Sequence, residues 1–264
     1  MIAIKDASVI FNQGTVNENK ALQDINLNVK EGDFITIIGS NGAGKSTLFN
    51  LIAGTITPTV GTIHLKGRNI TREPEYKRAQ YIGRIFQNPL LGTASNMSLA
   101  DNMMITYRKG FKWLKRSLNN KMKEYFQSEL VQLKMGLENR MKENLLMFSG
   151  GQRQALTLLM MVLSKPSLIL LDEHTAALDP KNAGIVLELT NTFVKEYHLT
   201  SMMITHNMSH AIEYGNRLLM MDQGGIIFDV SGDAKQELTV EKLVQKFHEL
   251  RHHGFENDRA LLSE

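Results

Sequence analysis

Two groups of residues carry side chains and spacing suited to chemistry on a phosphate chain. The run Gly39-Ser40-Asn41-Gly42-Ala43-Gly44-Lys45-Ser46-Thr47 fits the pattern G-x-x-x-x-G-K-[ST] at every fixed position. Its glycines let successive backbone N–H groups turn inward around an anion. Lys45 adds a point charge on terminal phosphates, and the hydroxyl of Ser46 suits Mg²⁺. A glycine-rich turn without chemistry would not explain a lysine at the one position where a lysine is useful. The second group ends the apolar run Leu168-Ile169-Leu170-Leu171-Asp172-Glu173. Asp172 suits Mg²⁺ held through water, and Glu173 suits the orientation or deprotonation of an attacking water. The implied chemistry is hydrolysis of ATP.

Three single residues extend the set. Gln87, in Phe86-Gln87-Asn88-Pro89, follows the apolar stretch Tyr81 to Phe86 and suits both Mg²⁺ and the water. His206, in Ile204-Thr205-His206-Asn207, suits contact with the γ-phosphate and with Glu173, and Asp179 follows shortly after the carboxylates. Each alone reads better as a cap or a satisfied core residue; their order along the chain gives them weight. Phe148-Ser149-Gly150-Gly151-Gln152 adds a further anion site in principle. Ser149 and the N–H groups of Gly150 and Gly151 open a helix, and a helix N-terminus attracts phosphate.

Such residues need strands that deliver them and helices that receive them. Ile2 to Val9, Ala21 to Val29 and Gly61 to Leu65 alternate as strands of a half-buried sheet. Phe34 to Ile38, Leu168 to Leu171 and Met202 to Ile204 are fully apolar, the mark of parallel strands covered on both faces. Lys45 to Ala53, Gly151 to Leu163 and Lys181 to Tyr197 read as helices between them, which predicts a doubly wound α/β core. From about Leu91 to Leu146 the rhythm breaks into a helical, lysine- and methionine-rich insertion. In and just after it lie Met97, Met103, Met104, Met122, Met135, Met141 and Met147, read as core fillers with a partner-binding groove as the alternative. After Val230, the residues Leu238, Val240, Leu243, Val244, Phe247 and Leu250 give one amphipathic helix expected to pack on its own domain.

At 264 residues and 42% hydrophobic content the chain can bury a sizeable core. It has no cysteine, which removes disulfides and cysteine-held metals, and fits a cytosolic setting. The start Met1-Ile2-Ala3-Ile4-Lys5-Asp6 lacks the layout of a secretory signal. The most apolar stretch, Ala155 to Leu171, is broken by Ser164-Lys165-Pro166-Ser167 and falls short of a membrane span. A net charge of +3, from 30 basic and 27 acidic residues, is too balanced for nucleic acid binding as a main activity. One local basic stretch stands out, with Arg108, Lys109, Lys112, Lys115, Arg116, Lys121 and Lys123 interleaved with Phe111, Trp113 and Leu114. A solvated helix face is the default reading, and contact with anionic lipid head groups is the sharper one.

With these motifs in order, the chain resembles the ATP-binding subunit of ATP-binding cassette (ABC) transporters over roughly residues 1–230, and Ser149-Gly150-Gly151-Gln152 is similar to that family's signature. The resemblance implies an α/β fold with a RecA-like phosphate-loop core, an antiparallel β subdomain and a helical signature subdomain. It places the helical insertion at about 91–154 in a single ATPase domain, with 231–264 as a helical tail. It implies a homodimer in which the signature of one subunit closes over ATP held by the phosphate loop of the other, with Asp179 near the nucleotide and Phe11 at the position that stacks on adenine. It further implies separate transmembrane permease subunits, an extracytoplasmic substrate-binding protein, no nucleic acid partner, and a place on the cytoplasmic face of the cell membrane.

The chain departs from the family pattern at Phe148, at His174 (where proline is usual after the catalytic acid) and in the helix Ala155-Leu156-Thr157-Leu158-Leu159-Met160-Met161. The residues Asn144-Leu145-Leu146-Met147, where exporters often carry a Thr-x-Val-Gly-Glu-like stretch, favour an importer. Phe11-Asn12-Gln13-Gly14-Thr15-Val16-Asn17-Glu18 with Asp172-Glu173-His174-Thr175-Ala176-Ala177-Leu178-Asp179 resembles the subgroup that serves small solutes, which implies an amino acid, aromatic ones among them, as one cargo. A separate-subunit exporter and a soluble ABC ATPase acting on nucleic acid or ribosomes are the alternatives.

Overall fold

The computed structural model describes residues 1–107 and 118–261, with side chains up to residue 250. It divides into two compact units, one formed by Met1–Arg78 with Thr200–Glu264, the other by Ala79–Leu199.

The first unit opens with β1 (Ile2–Phe11), which pairs antiparallel with β2 (Asn19–Val29). Next come the buried strand β3 (Phe34–Gly39) and α1 (Lys45–Ala53). Then β4 (Val60–Leu65) runs antiparallel along the other side of β1, and the short β5 (Arg68–Asn69) completes the order β2-β1-β4-β5. α2 (Glu75–Arg78) ends in an arginine that is fully buried. Arg78 donates to the carbonyls of Leu51 and Ile52 at the end of α1, and to those of Ile70, Thr71 and Glu73. A cation at a helix C-terminus satisfies carbonyls that the helix cannot, and it complements the helix dipole.

The second unit contains β6 (Ile82–Ile85), α3 (Leu99–Tyr107), α4 (Asn120–Val131), α5 (Gly150–Leu163), β7 (Leu168–Asp172) and α6 (Pro180–Glu196). β6 and β7 are parallel neighbours, with Ile85 opposite Leu171. α5 is buried on nearly every side, from Gln154 through Met160, which accounts for its apolar character all round. Between α4 and α5 the chain forms two single 3₁₀ turns, Leu137–Asn139 and Leu145–Met147. The methionines divide: Met103, Met104 and Met141 are buried, whereas Met97 and Met147 are exposed. Of the basic stretch, Lys121 and Lys123 lie on the exposed side of α4, and the residues from Arg108 to Arg116 lie outside the described residues.

The chain then returns to the first unit. β8 (Ser201–Ile204) runs parallel to β3, α7 (Met208–Glu213) follows, and β9 (Arg217–Asp222) runs parallel on the other side of β3. β10 (Gly225–Ser231) turns back antiparallel on β9. This hairpin was not foreseen. Its signal was the run Leu218-Leu219-Met220-Met221 ahead of Gln223-Gly224, and both turn residues have positive φ (47° and 80°), as primed hairpin turns require. After α8 (Asp233–Gln236), the terminal α9 (Val240–Leu261) buries Leu243 against Ile38, Ala211, Leu218 and Met220, with Leu238 and Phe247 packed alongside. The expected amphipathic stripe therefore faces its own unit. Among the described residues no helix is long and apolar enough to cross a membrane.

Candidate functional site

In the first unit the phosphate loop is shaped by a close backbone fit together with the Ser40 and Lys45 side chains. Gly39 closes β3 opposite Met221 at φ +155°, where a Cβ would sit 2.2 Å from the Met221 carbonyl oxygen, so only glycine fits. The Ala43 carbonyl accepts from the N–H of Gly224, which ties the loop to the β9–β10 turn. Ser40 donates its hydroxyl to Asp222 at 2.9 Å. Gly44 caps α1 in the left-handed conformation, with no side-chain cap and no acidic residue in the first turn.

Lys45 is only 6% exposed, and its Nζ donates to the carbonyls of Gly39 (2.8 Å) and Ser40 (2.9 Å). Its ammonium is thereby folded over the loop itself. Asn41, Gly42 and Ser46 are exposed, whereas Thr47 is half-buried. A helix start with no side-chain cap, no acidic residue in its first turn and a tethered ammonium is chemically an anion cradle.

His206 is brought to the same place. It follows β8, the N–H of Thr205 bonds to the Ile37 carbonyl at 3.1 Å, and His206 shares a cavity of about 150 Å³ with Ile38, Gly39, Ser40, Thr205, Met208 and Phe247. Phe11, 40% exposed, ends β1 opposite Asn19. Two residues further along β2, the Ala21 carbonyl lies against Gly44, 2.7 Å from where a Cβ would stand.

In the second unit the buried strand β7 delivers Asp172 and Glu173. Asp172 accepts from Arg84 of β6 at 2.6 Å, both side chains being about 15% exposed, and the Arg84 guanidinium also lies 4.9 Å over the Phe86 ring. Sequence reasoning missed Arg84. The available signal was a lone arginine inside the apolar strand Ile82-Gly83-Arg84-Ile85, which requires a partner. Glu173 is half-buried and sits at φ +48°, a left-handed conformation that non-glycine residues rarely keep. Its carbonyl accepts from the Ala176 N–H at 2.9 Å.

His174 is 2% exposed with Nε2 3.0 Å from Thr190 Oγ1, and burial lowers its pKa to about 4, so the imidazole is neutral. Gln87 is exposed just beyond β6, where Gln154 of α5 donates to the Phe86 carbonyl at 3.3 Å.

The signature segment and Asp179 also meet in this unit. Ser149 caps α5 in a full capping box: its hydroxyl accepts from the Gln152 N–H, and Gln152 Oε1 accepts from the Ser149 N–H. The box does not use the N–H groups of Gly150 and Gly151. Asp179 caps α6, accepting from the Asn182 N–H (3.1 Å) and Nδ2 (2.6 Å), and these bonds hold its carboxyl below the usual carboxylate range. A Cβ on Gly151 would stand 2.8 Å from the Asn182 side chain, so glycine allows the two helix starts to touch.

For Mg²⁺, the Ser46 hydroxyl, the Gln87 carbonyl oxygen and the Asp172 carboxylate are hard oxygen donors, the kind that ion prefers. Among the described residues no three His, Cys, Asp or Glu gather as a ready metal cage.

The chain belongs to the ABC transporter family, whose sequence pattern matches residues 22–176. It is an ATP-binding ATPase of the transport type. It is 41% identical to the "Tyrosine transport ATP-binding protein" of Clostridioides difficile over 94% of this chain and 98% of that protein. It is 30% identical to "Phosphonates import ATP-binding protein PhnC 3" of Halalkalibacterium halodurans over 92% and 93%. The solved structure of cbiO1 from Clostridium perfringens, part of the ABC transporter complex cbiONQ, superposes with a TM-score of 0.75 at 25% identity over 93% of each chain. The α/β fold is that of the RecA-like ABC cassettes.

Proposed function

We propose that this chain powers the import of a small solute, of the amino acid class, through a separate membrane permease served by an extracytoplasmic binding protein, working as a homodimer on the cytoplasmic face of the membrane. The observation that carries the cargo class is the end-to-end correspondence with a relative named for tyrosine transport. In this reading Lys45 and the loop from Gly39 to Thr47 hold the phosphates, Phe11 stacks on the adenine, and Ser149 to Gln152 of the second subunit close on the γ-phosphate with Asp179 beside them. Mg²⁺, when bound, would be held by Ser46, Gln87 and Asp172 and would neutralise charge on the phosphates. Glu173 takes the proton of the attacking water, and His206 fixes the γ-phosphate.

The unpartnered apolar side chains of the second unit suit a permease. Met97 is joined to Leu145 by a backbone hydrogen bond, which sets the exposed Leu146 and Met147 beside it, and Leu90 and Leu91 are exposed a few residues upstream.

The direct test is Glu173→Gln in the full chain. ATP is bound, the dimer persists on size exclusion, and turnover falls by about a thousandfold. Hydrolysis at the unmodified rate would remove Glu173 as the base. Tagging the chain in its native cell and identifying what co-purifies from gently solubilised membranes tests the transport reading: a multi-helix permease supports it, and recovery with ribosomes or DNA overturns it.

A further inference from the structure

We propose that His174 is a positioning residue for hydrolysis, and that its hydrogen bond to Thr190 of α6 holds the turn that aims the Glu173 carboxylate. This rests on the reading of Glu173 as the base. Glu173 keeps φ +48°, a left-handed conformation it shares with exposed residues such as Lys66 and Lys134, and one that costs free energy unless its surroundings support it. Both chain neighbours are fastened to other elements. On one side Asp172 is ion-paired to Arg84 of β6; on the other, His174 is buried and bonded to Thr190. The catalytic carboxylate therefore stands on a backbone unit pinned at each end.

The direction of the second bond follows from proton counting. Thr190 has one hydroxyl proton, and it goes to the Val186 carbonyl at 2.8 Å. Thr190 Oγ1 thus meets His174 as an acceptor, and the imidazole donates from Nε2. A ring turned over would present Cε1 to Thr190, so the bond fixes the rotamer as well as the tautomer. Thr190 is itself 1% exposed on the buried face of α6, beside Val186, Leu187 and Phe193, and moves only with that helix. A histidine that merely filled core would add stability and leave the chemistry alone; one that aims Glu173 acts on turnover.

The test uses the full chain with ATP and Mg²⁺. Thr190→Val keeps the shape and removes the acceptor. kcat then falls by about tenfold or more, because misplaced catalytic groups lose rate steeply, while KM for ATP and binding of a fluorescent ATP analogue stay within about twofold. Thr190→Ser restores the rate. His174→Gln, whose Nε2 reaches about as far, keeps most of it, whereas His174→Leu loses as much as Thr190→Val, and the double variant loses no more than either alone. An unchanged kcat in Thr190→Val and His174→Leu, with only a lower unfolding midpoint, overturns the inference; so does a loss confined to KM. Glu173→Gln serves as the control. If it is inactive while Thr190→Val is fully active, the positioning role alone fails. If Glu173→Gln hydrolyses normally, the reading of Glu173 as base is what fails.

Discussion

The helix behind the phosphate loop, α1, starts at Lys45 after a left-handed Gly44 with no side-chain cap, whereas α5 starts after Ser149 in a closed capping box and α6 after Asp179. The supports differ in the same sense. The loop of the first unit is held by its own backbone, by its own Lys45 ammonium and by the adjoining β9–β10 turn. The carboxylate turn of the second unit is held by side chains from elsewhere, Arg84 of β6 and Thr190 of α6. At the phosphate loop the side-chain cap is withheld, so the first N–H groups of α1 can serve an anion, whereas the box at α5 leaves the Gly150 and Gly151 N–H groups for that purpose. Where a carboxylate must point, side chains are supplied to hold the backbone.

The largest effect should come from removing the backbone fit on the loop side. Gly39→Ala places a methyl against the Met221 carbonyl, so nucleotide binding is lost in a fluorescence titration and urea unfolding shows a stability loss of about 4 kcal/mol. Retained binding would mean that the loop has more slack than this contrast allows.

Next comes the buried histidine of the other unit. Its folded pKa of about 4 lies below the ordinary 6.5, so the unfolded chain binds the proton first as pH falls. Its contribution is whole above about 6.5 and is lost towards about 4, on the order of 3 kcal/mol. Chemical unfolding across that range should show this slope in the native chain and a shallower one in His174→Gln.

Gly151→Ala should cost about 2 kcal/mol through the Asn182 contact and much less in an Asn182→Gly background, which a double-mutant cycle measures. Smallest is the serine pair. Ser149→Ala loses about 1 kcal/mol with its cap, while the exposed, non-capping Ser46→Ala changes thermal stability by less than about 0.5 kcal/mol.

The same contrast explains what could be read in advance. The phosphate loop was legible because its function needs glycines and a lysine at fixed local spacing, and β3 and α1 flank it within a few residues. The apolar strand ending in Asp172 and the one followed by His206 were legible for the same reason, and so was the stripe of α9. Arg84 was not: it meets Asp172 across 88 positions of sequence, and no local pattern encodes such a pairing. The bond from His174 to Thr190 was equally hidden, since a histidine and a threonine sixteen residues apart carry no periodicity of their own. The β9–β10 hairpin escaped because Gln-Gly is a weaker turn signal than Asn-Gly. The methionines were legible as adaptable side chains, but not as to which face each would take.

Phe247 lines the cavity beneath Gly39, Ser40 and His206, although it stands more than two hundred residues beyond the first of them. Shortening the chain ahead of Val240 would strip that wall from behind the phosphate cradle. For anyone preparing the ATPase, the terminal helix is thus part of the enzyme rather than a disposable appendage, and fusion tags belong beyond it.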